Sequence, residues 1–129
     1  MNTEFSLDMA QRNRAMDALD DLVREAYDNS EEHGFHAAYD AMLEAVPAEQ
    51  KQDVRRTIIL AKLGLIASEV GEAVQAIQHG DEAAFQFELA DILIRIFDLA
   101  GAEYIQLGPV TLKKMQMNRK REYLHGKKC

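Results

Sequence analysis

Two pairs of carboxylates at one-turn spacing, Glu69-x-x-Glu72 and Glu88-x-x-Asp91, stand in the two most hydrophobic stretches of the chain. Residues three apart on a helix lie about 60° apart around its axis, so each pair projects from one face and can converge on a shared ligand. Acids in apolar surroundings are costly unless a metal or a positive group neutralises them. Four of them, contributed by two neighbouring helices, make an oxygen-only cage. Such a donor set suits a hard divalent cation, Mg²⁺ first and Mn²⁺ as its substitute. Iron and zinc sites more often recruit His or Cys, and the one Glu-x-x-His of the chain, Glu122 to His125, lies in a basic tail instead.

The elements that must position these acids read as helices. From Leu89 to Ala100 the only polar residues are Asp91, Arg95 and Asp98, which with Glu88 form one narrow stripe on an otherwise apolar segment. A helix apolar nearly all round is a buried one, and Arg95 can pair with one acid but not neutralise four. On the preceding segment Ile59, Leu63, Ile66, Val70, Val74 and Ile77 recur at steps of three and four and predict a core stripe, with Lys62, Leu65, Glu69, Glu72 and Ala76 beside it. Gly71 sits where alanine would be the better helix former, which suggests a close approach or a tolerated cost. Lys62 and Asp98 lie on the same stripes as the acids, seven residues away, and read as structural ion-pair members outside the metal shell.

The rest of the chain fits an all-α bundle of about four to five helices. An amphipathic segment runs from about Ser6 to Tyr27, and Asp28 to Gly34 reads as a loop. A short helix from His36 to Ala45 ends at Pro47, the long helix runs from Ala48 to Gln78, and Gly80 and Asp81 cap its end and the start of the next. Gly108-Pro109 opens the last helix. The methionines Met9, Met16, Met42, Met115 and Met117 read as core filler. In the loop, His33 and Phe35 could meet a ligand or simply close the bundle.

With 129 residues, 47% of them hydrophobic, and no low-complexity tract, the expectation is one domain spanning 1–129. The single cysteine, Cys129, cannot close an intramolecular disulfide, and neither a signal pattern nor a membrane-length apolar run stands out, so a cytoplasmic location with no membrane partner is expected. Charge is unevenly spread: residues 113–128 hold seven Lys or Arg against one Glu, while the remainder has 8 basic and 21 acidic residues. A basic tail on an acidic body suggests an arm for an anion whose metal the acids bind, or else a solvated helix end. So nearly all-round apolar a helix in so small a domain favours completion of the bundle by a homodimer or homotetramer.

Three segments of the chain resemble the MazG-like all-α nucleoside triphosphate pyrophosphohydrolases, over about Lys62 to Lys128. They are Lys62 to Ala73 bearing Glu-x-x-Glu, Glu88 to Gly101 bearing Glu-x-x-Asp, and Lys114-Met115-x-x-Asn118-x-x-Arg121 followed by His125-Gly126-Lys127-Lys128, similar to the tail of shorter phage-type and bacterial members. The resemblance implies that Glu69, Glu72, Glu88 and Asp91 bind Mg²⁺, with Glu69 and Glu72 the first candidates for catalysis. It also implies that Lys114, Asn118 and Arg121 reach substrate phosphates, and that a nucleoside triphosphate, not a nucleic acid, is the partner, whose base could meet His33 and Phe35 and, with no tryptophan in the chain, must stack on Phe, Tyr, His or aliphatic groups. Two departures, Glu122 where proline is usual and Cys129 where an aromatic is more common, bear on the tail alone. Two alternatives remain: the related phosphoribosyl-ATP pyrophosphohydrolase, and a non-catalytic helical dimer that binds nucleotides or proteins.

Overall fold

A computed structural model describes residues 5–121, and the expectations on Glu122, His125 and the four last residues lie outside it. Five α-helices follow in order: α1 (Met9–Glu32), α2 (Ala37–Ala45), α3 (Lys51–Gln78), α4 (Glu82–Ala102) and α5 (Leu107–Arg119), with a 3₁₀ turn at Ala48–Gln50 before α3. No strand occurs among the described residues, so the architecture is all-α. No described helix is long and apolar enough to cross a membrane.

Local chemistry accounts for the boundaries. Asp8 caps α1, its carboxylate accepting from the Gln11 backbone while the Gln11 side chain accepts from the Asp8 N–H, a reciprocal capping box. Asp81 caps α4 by accepting from Ala84 N at 2.9 Å, and Gly80, at φ +71°, supplies the left-handed residue that ends α3. The three-residue link makes α3 and α4 an antiparallel hairpin, the most extensive helix pair of the fold. Its register is visible in two ion pairs: Arg55 near the start of α3 meets Glu103 just past the end of α4, and Glu69 further along α3 meets Arg95.

Helix α1 packs across α4, and α5 packs on α1. Between them lies a small core of Val23, Phe97 and Ala100, bordered by Leu19, Ala26 and Leu107. Gly101 permits the α1–α4 contact, since a Cβ there would stand 2.6 Å from Cβ of Tyr27. Gly108 does the same for α5. A Cβ at that position would meet the Met16 carbonyl oxygen at 2.5 Å, and its N–H donates to Asp20 Oδ1 at 2.7 Å.

Three expectations need correction, and one left open is decided. Helix α1 does not stop near Tyr27 but continues to Glu32, because Ser30, locally a turn residue, is buried and gains a partner on α4. The buried positions of α3 are Ile58, Glu69, Ala73 and Ala76, whereas Leu63, Val70, Val74 and Ile77 of the expected core stripe are about half exposed. Of the two readings of Gly71, the tolerated cost holds, since a Cβ there would face open space. Met9, Met42, Met115 and Met117 are exposed rather than core filler.

Candidate active site

Helices α3 and α4 bring the acids together by the stripes that their spacing implied. One carboxylate oxygen from each of Glu69, Glu88 and Asp91 lies within 4.8 Å of the other two. Glu69 is buried, and its Oε1 accepts from Arg95 Nε at 2.6 Å. That guanidinium is the main reason its carboxyl is held below the ordinary carboxylate value. Glu72 follows one turn along α3 and is exposed. The nearness of Glu69, which favours a shared proton and repels a second charge, raises its pKa. Glu88 is raised as well, by burial first and then by the charges of Glu72, Glu69 and Asp91. Its Oε2 is shut off from solvent and has no hydrogen-bond partner among the described residues.

An orphaned carboxylate oxygen within a group of acids is an unstable arrangement for protein alone. A buried acceptor without a donor forfeits its hydration and gets nothing back. Three convergent carboxylates, one of them already ionised against Arg95, are what a hard divalent cation takes, and the donor set is oxygen only. The residues present therefore fit Mg²⁺.

A cavity of about 480 Å³ opens beside this cluster. Glu69, Asp91 and Arg95 line one end, and Phe35, His36, Tyr39, Lys62 and Asp98 line the other. The second end is organised around His36, which is 4% exposed. Its Nε2 lies 2.7 Å from Asp98 Oδ1, its Nδ1 lies 3.2 Å from Lys62 Nζ, and Ser30 Oγ donates to Asp98 Oδ2 at 2.9 Å. An ammonium has only donors, so Nδ1 must be the acceptor and the ring proton belongs on Nε2, donated to Asp98. The Tyr27 ring packs on the imidazole with centroids 5.0 Å apart.

The structure thus brings Glu69, Glu88 and Asp91 together, leaves Glu72 one turn along α3, and places Lys62 and Asp98 on the cavity that Glu69 and Asp91 line. Phe35 lines it; His33 does not, its Nδ1 instead lying 2.7 Å from the Asn29 carbonyl, with its ring stacked at 6.5 Å on Phe35. Lys114, Asn118 and Arg121 are not brought there. They are exposed on or just beyond α5, which packs on α1, and none lines the cavity. Lys62 and Asp98 are not joined to each other as an ion pair; both contact His36. That histidine and Ser30 escaped sequence reasoning. The available signal was Asp98, an acid on the apolar helix two turns from Asp91, which required a partner from elsewhere.

Comparison with known proteins comes to one positive finding: residues 59–122 match the family model of the MazG nucleotide pyrophosphohydrolase domain. No curated protein and no solved structure matches the chain.

Proposed function

We propose, from the premise that the chain belongs through residues 59–122 to the MazG nucleotide pyrophosphohydrolase family, that it is an Mg²⁺-dependent enzyme acting on nucleoside triphosphates. Water is added across the α–β anhydride of an NTP or dNTP, giving the monophosphate and pyrophosphate, in nucleotide-pool housecleaning or regulation. The observation that carries this reading is the group of Glu69, Glu88 and Asp91, whose carboxylate oxygens come within 4.8 Å of one another and in which Glu88 keeps a buried Oε2 without a partner.

When bound by Glu69, Glu88, Asp91 and the neighbouring Glu72, Mg²⁺ would offset the negative charge of the triphosphate and acidify a water. The chain's own residues divide the remaining work. Arg95 keeps Glu69 ionised and fixes its orientation. Glu72, exposed and with its pKa raised by Glu69, is the acid assigned to accept the proton of the attacking water. Phe35 and Tyr39 offer aromatic faces for a base at the other end of the cavity.

Lys114, Asn118 and Arg121 are assigned to the outer phosphates, reaching the acids of a neighbouring subunit in a homodimer or homotetramer. The exposed face formed by Val70, Val74, Ile77, Phe85, Leu89 and Ile92 supports such an assembly, being wholly apolar apart from Gln78 at its edge. The same reading takes residues 1–129 as one cytoplasmic domain without a nucleic-acid or membrane partner.

The test is incubation with Mg²⁺ and a panel of common and modified triphosphates, with products separated by chromatography. One pyrophosphate and one monophosphate per triphosphate consumed is the expected result. A diphosphate with orthophosphate would place cleavage at the β–γ bond and refute the assignment, and turnover of phosphoribosyl-ATP alone would replace it with the dedicated enzyme.

A further inference from the structure

We infer that Lys62, oriented by the hydrogen-bonded chain Ser30–Asp98–His36, reads a carbonyl oxygen on the nucleobase, so that triphosphates of carbonyl-bearing bases are preferred to those of adenine. The inference rests on the pyrophosphohydrolase reading and concerns the end of the cavity away from the acids.

Position is the first argument. Lys62 and Glu69 are seven residues apart on α3, roughly 10 Å along the helix axis. Both line the same cavity. A nucleotide whose phosphates lie at the acids has passed its phosphate chain by that distance, and presents sugar and base to Lys62, Tyr39 and Phe35. Among the described residues no carboxylate pairs with Lys62. Its ammonium has three donors and spends one on His36 Nδ1, while the Tyr39 ring lies 5.2 Å below the charge.

Orientation is the second. A lysine at a cavity wall is ordinarily a mobile point charge with high rotamer entropy. Here the acceptor that holds it is 4% exposed and is itself locked. Asp98 Oδ1 takes the Nε2 proton of His36, Ser30 occupies Oδ2, and Ser30 is 7% exposed. Three side chains, from α1, the α1–α2 connection and α4, are thus engaged in keeping His36 Nδ1 an acceptor aimed at Lys62. Ser30, His36 and Asp98 are positioning residues in this scheme, and Lys62 is the group that touches substrate.

The selectivity follows from donor and acceptor chemistry. An ammonium on the base edge gains a charge-assisted hydrogen bond from the exocyclic oxygen of guanine, uracil or thymine, or from the 2-oxo group of cytosine. Adenine alone of the common bases has no carbonyl, and its exocyclic amine would set donor against donor. A site built for a hydrogen bond discriminates strongly against a ligand that cannot make it.

The experiment is titration calorimetry of the full chain in Mg²⁺ with α,β-methylene triphosphates of guanosine, uridine and adenosine, which bind without being cleaved. The wild type is expected to bind the first two at least about tenfold more tightly than the third. Lys62→Met should weaken guanosine and uridine analogues roughly 10- to 100-fold and the adenosine analogue far less, collapsing the preference. Lys62→Arg should retain part of it, and Asp98→Asn should reduce it in the same direction. Equal wild-type affinities for all three, or a uniform loss in Lys62→Met, overturns the inference and leaves the pyrophosphohydrolase reading standing. If Lys62→Met lacks its helical signal by circular dichroism, Asp98→Asn decides: selective loss supports the assignment, uniform loss overturns it. A folded wild type that binds none of the analogues sinks the underlying reading, and the inference with it.

Discussion

The two ends of the central cavity contain nearly the same ingredients, carboxylates and cations on α3 and α4, in opposite conditions. At the Asp98 end the contacts are completed within the protein: both carboxylate oxygens are engaged, and both imidazole nitrogens of His36 have partners. At the Glu69 end Arg95 serves Glu69, and the charges of the neighbouring acids act on Glu88, whose Oε2 has no donor among the described residues. A polar network that satisfies itself contributes to the fold. One that does not is held together by the rest of the fold and awaits something from outside. The contrast separates an end whose acids lack a counter-charge from an end whose polar groups, apart from the free donors of Lys62, are already satisfied, without reference to any family.

Breaking the acidic end should have the largest functional effect. Asp91→Ala is expected to lower Mg²⁺-dependent pyrophosphate release by more than about 100-fold while leaving the helical signal by circular dichroism unchanged. Near wild-type turnover would remove Asp91 from the site.

The comparison is sharpened by removing one acid from each end and following thermal unfolding in EDTA. Asp98→Ala strands the buried His36 N–H and Ser30 hydroxyl and should destabilise the chain by about 1–3 kcal/mol. Glu88→Leu removes a repelled, unpartnered acid and should raise the melting temperature. Shifts of the same sign in both variants would show that the two ends do not differ as described.

A third outcome concerns pH, and its sign comes from the three perturbed acids. The folded pKa values of Glu72 and Glu88 lie above the ordinary 4.5, so in metal-free protein their contribution to stability falls as pH rises from 4.5 through those values. Glu69 is lowered, so its contribution is present above 4.5 and is lost as pH falls through its folded value. The acidic end should therefore stabilise the metal-free chain most near pH 4.5, and saturating Mg²⁺ should abolish the decline above it. Unfolding scans at several pH values, with EDTA or with Mg²⁺, check this. A decline unaffected by Mg²⁺ would assign it to other groups.

The smallest effect tests the backbone between Glu69 and Glu72. Gly71→Ala enters open space in mid-helix and should stabilise the chain by about 1 kcal/mol, equally with and without Mg²⁺. A gain that depends on Mg²⁺ would mean that Gly71 takes part in the arrangement of the acids.

The nearness of Glu69, Glu88 and Asp91 was legible because each breaks an apolar pattern at helical spacing, and the all-α fold was legible from the same periodicity. The inward face of α3 was not. A helix with apolar residues around most of its circumference offers several equivalent stripes, and the partner's shape selects Ile58, Ala73 and Ala76 over Leu63, Val70 and Val74. The end of α1 was misread for a related reason. Asp28, Asn29 and Ser30 are loop residues by local preference, and only a hydrogen bond to Asp98, 68 positions away, makes a buried serine worth keeping in a helix. His36 was hidden likewise, since its three partners come from α1, α3 and α4 and none is a sequence neighbour. The position of α5 depends on the contact of Gly108 with Met16, which no pattern within α5 announces.

That contact makes the last helix a lever. Its fulcrum is Gly108, where the backbone of α5 meets the backbone of α1 without a side chain between them, while Lys114 and Arg119 lie progressively further along an arm roughly 16 Å long. Any wedge at the fulcrum is magnified at the far end. Gly108→Ala would tilt the cationic arm as a rigid unit while leaving every acid on α3 and α4 untouched, giving a single-residue means of varying the distance between the two charge systems of the chain.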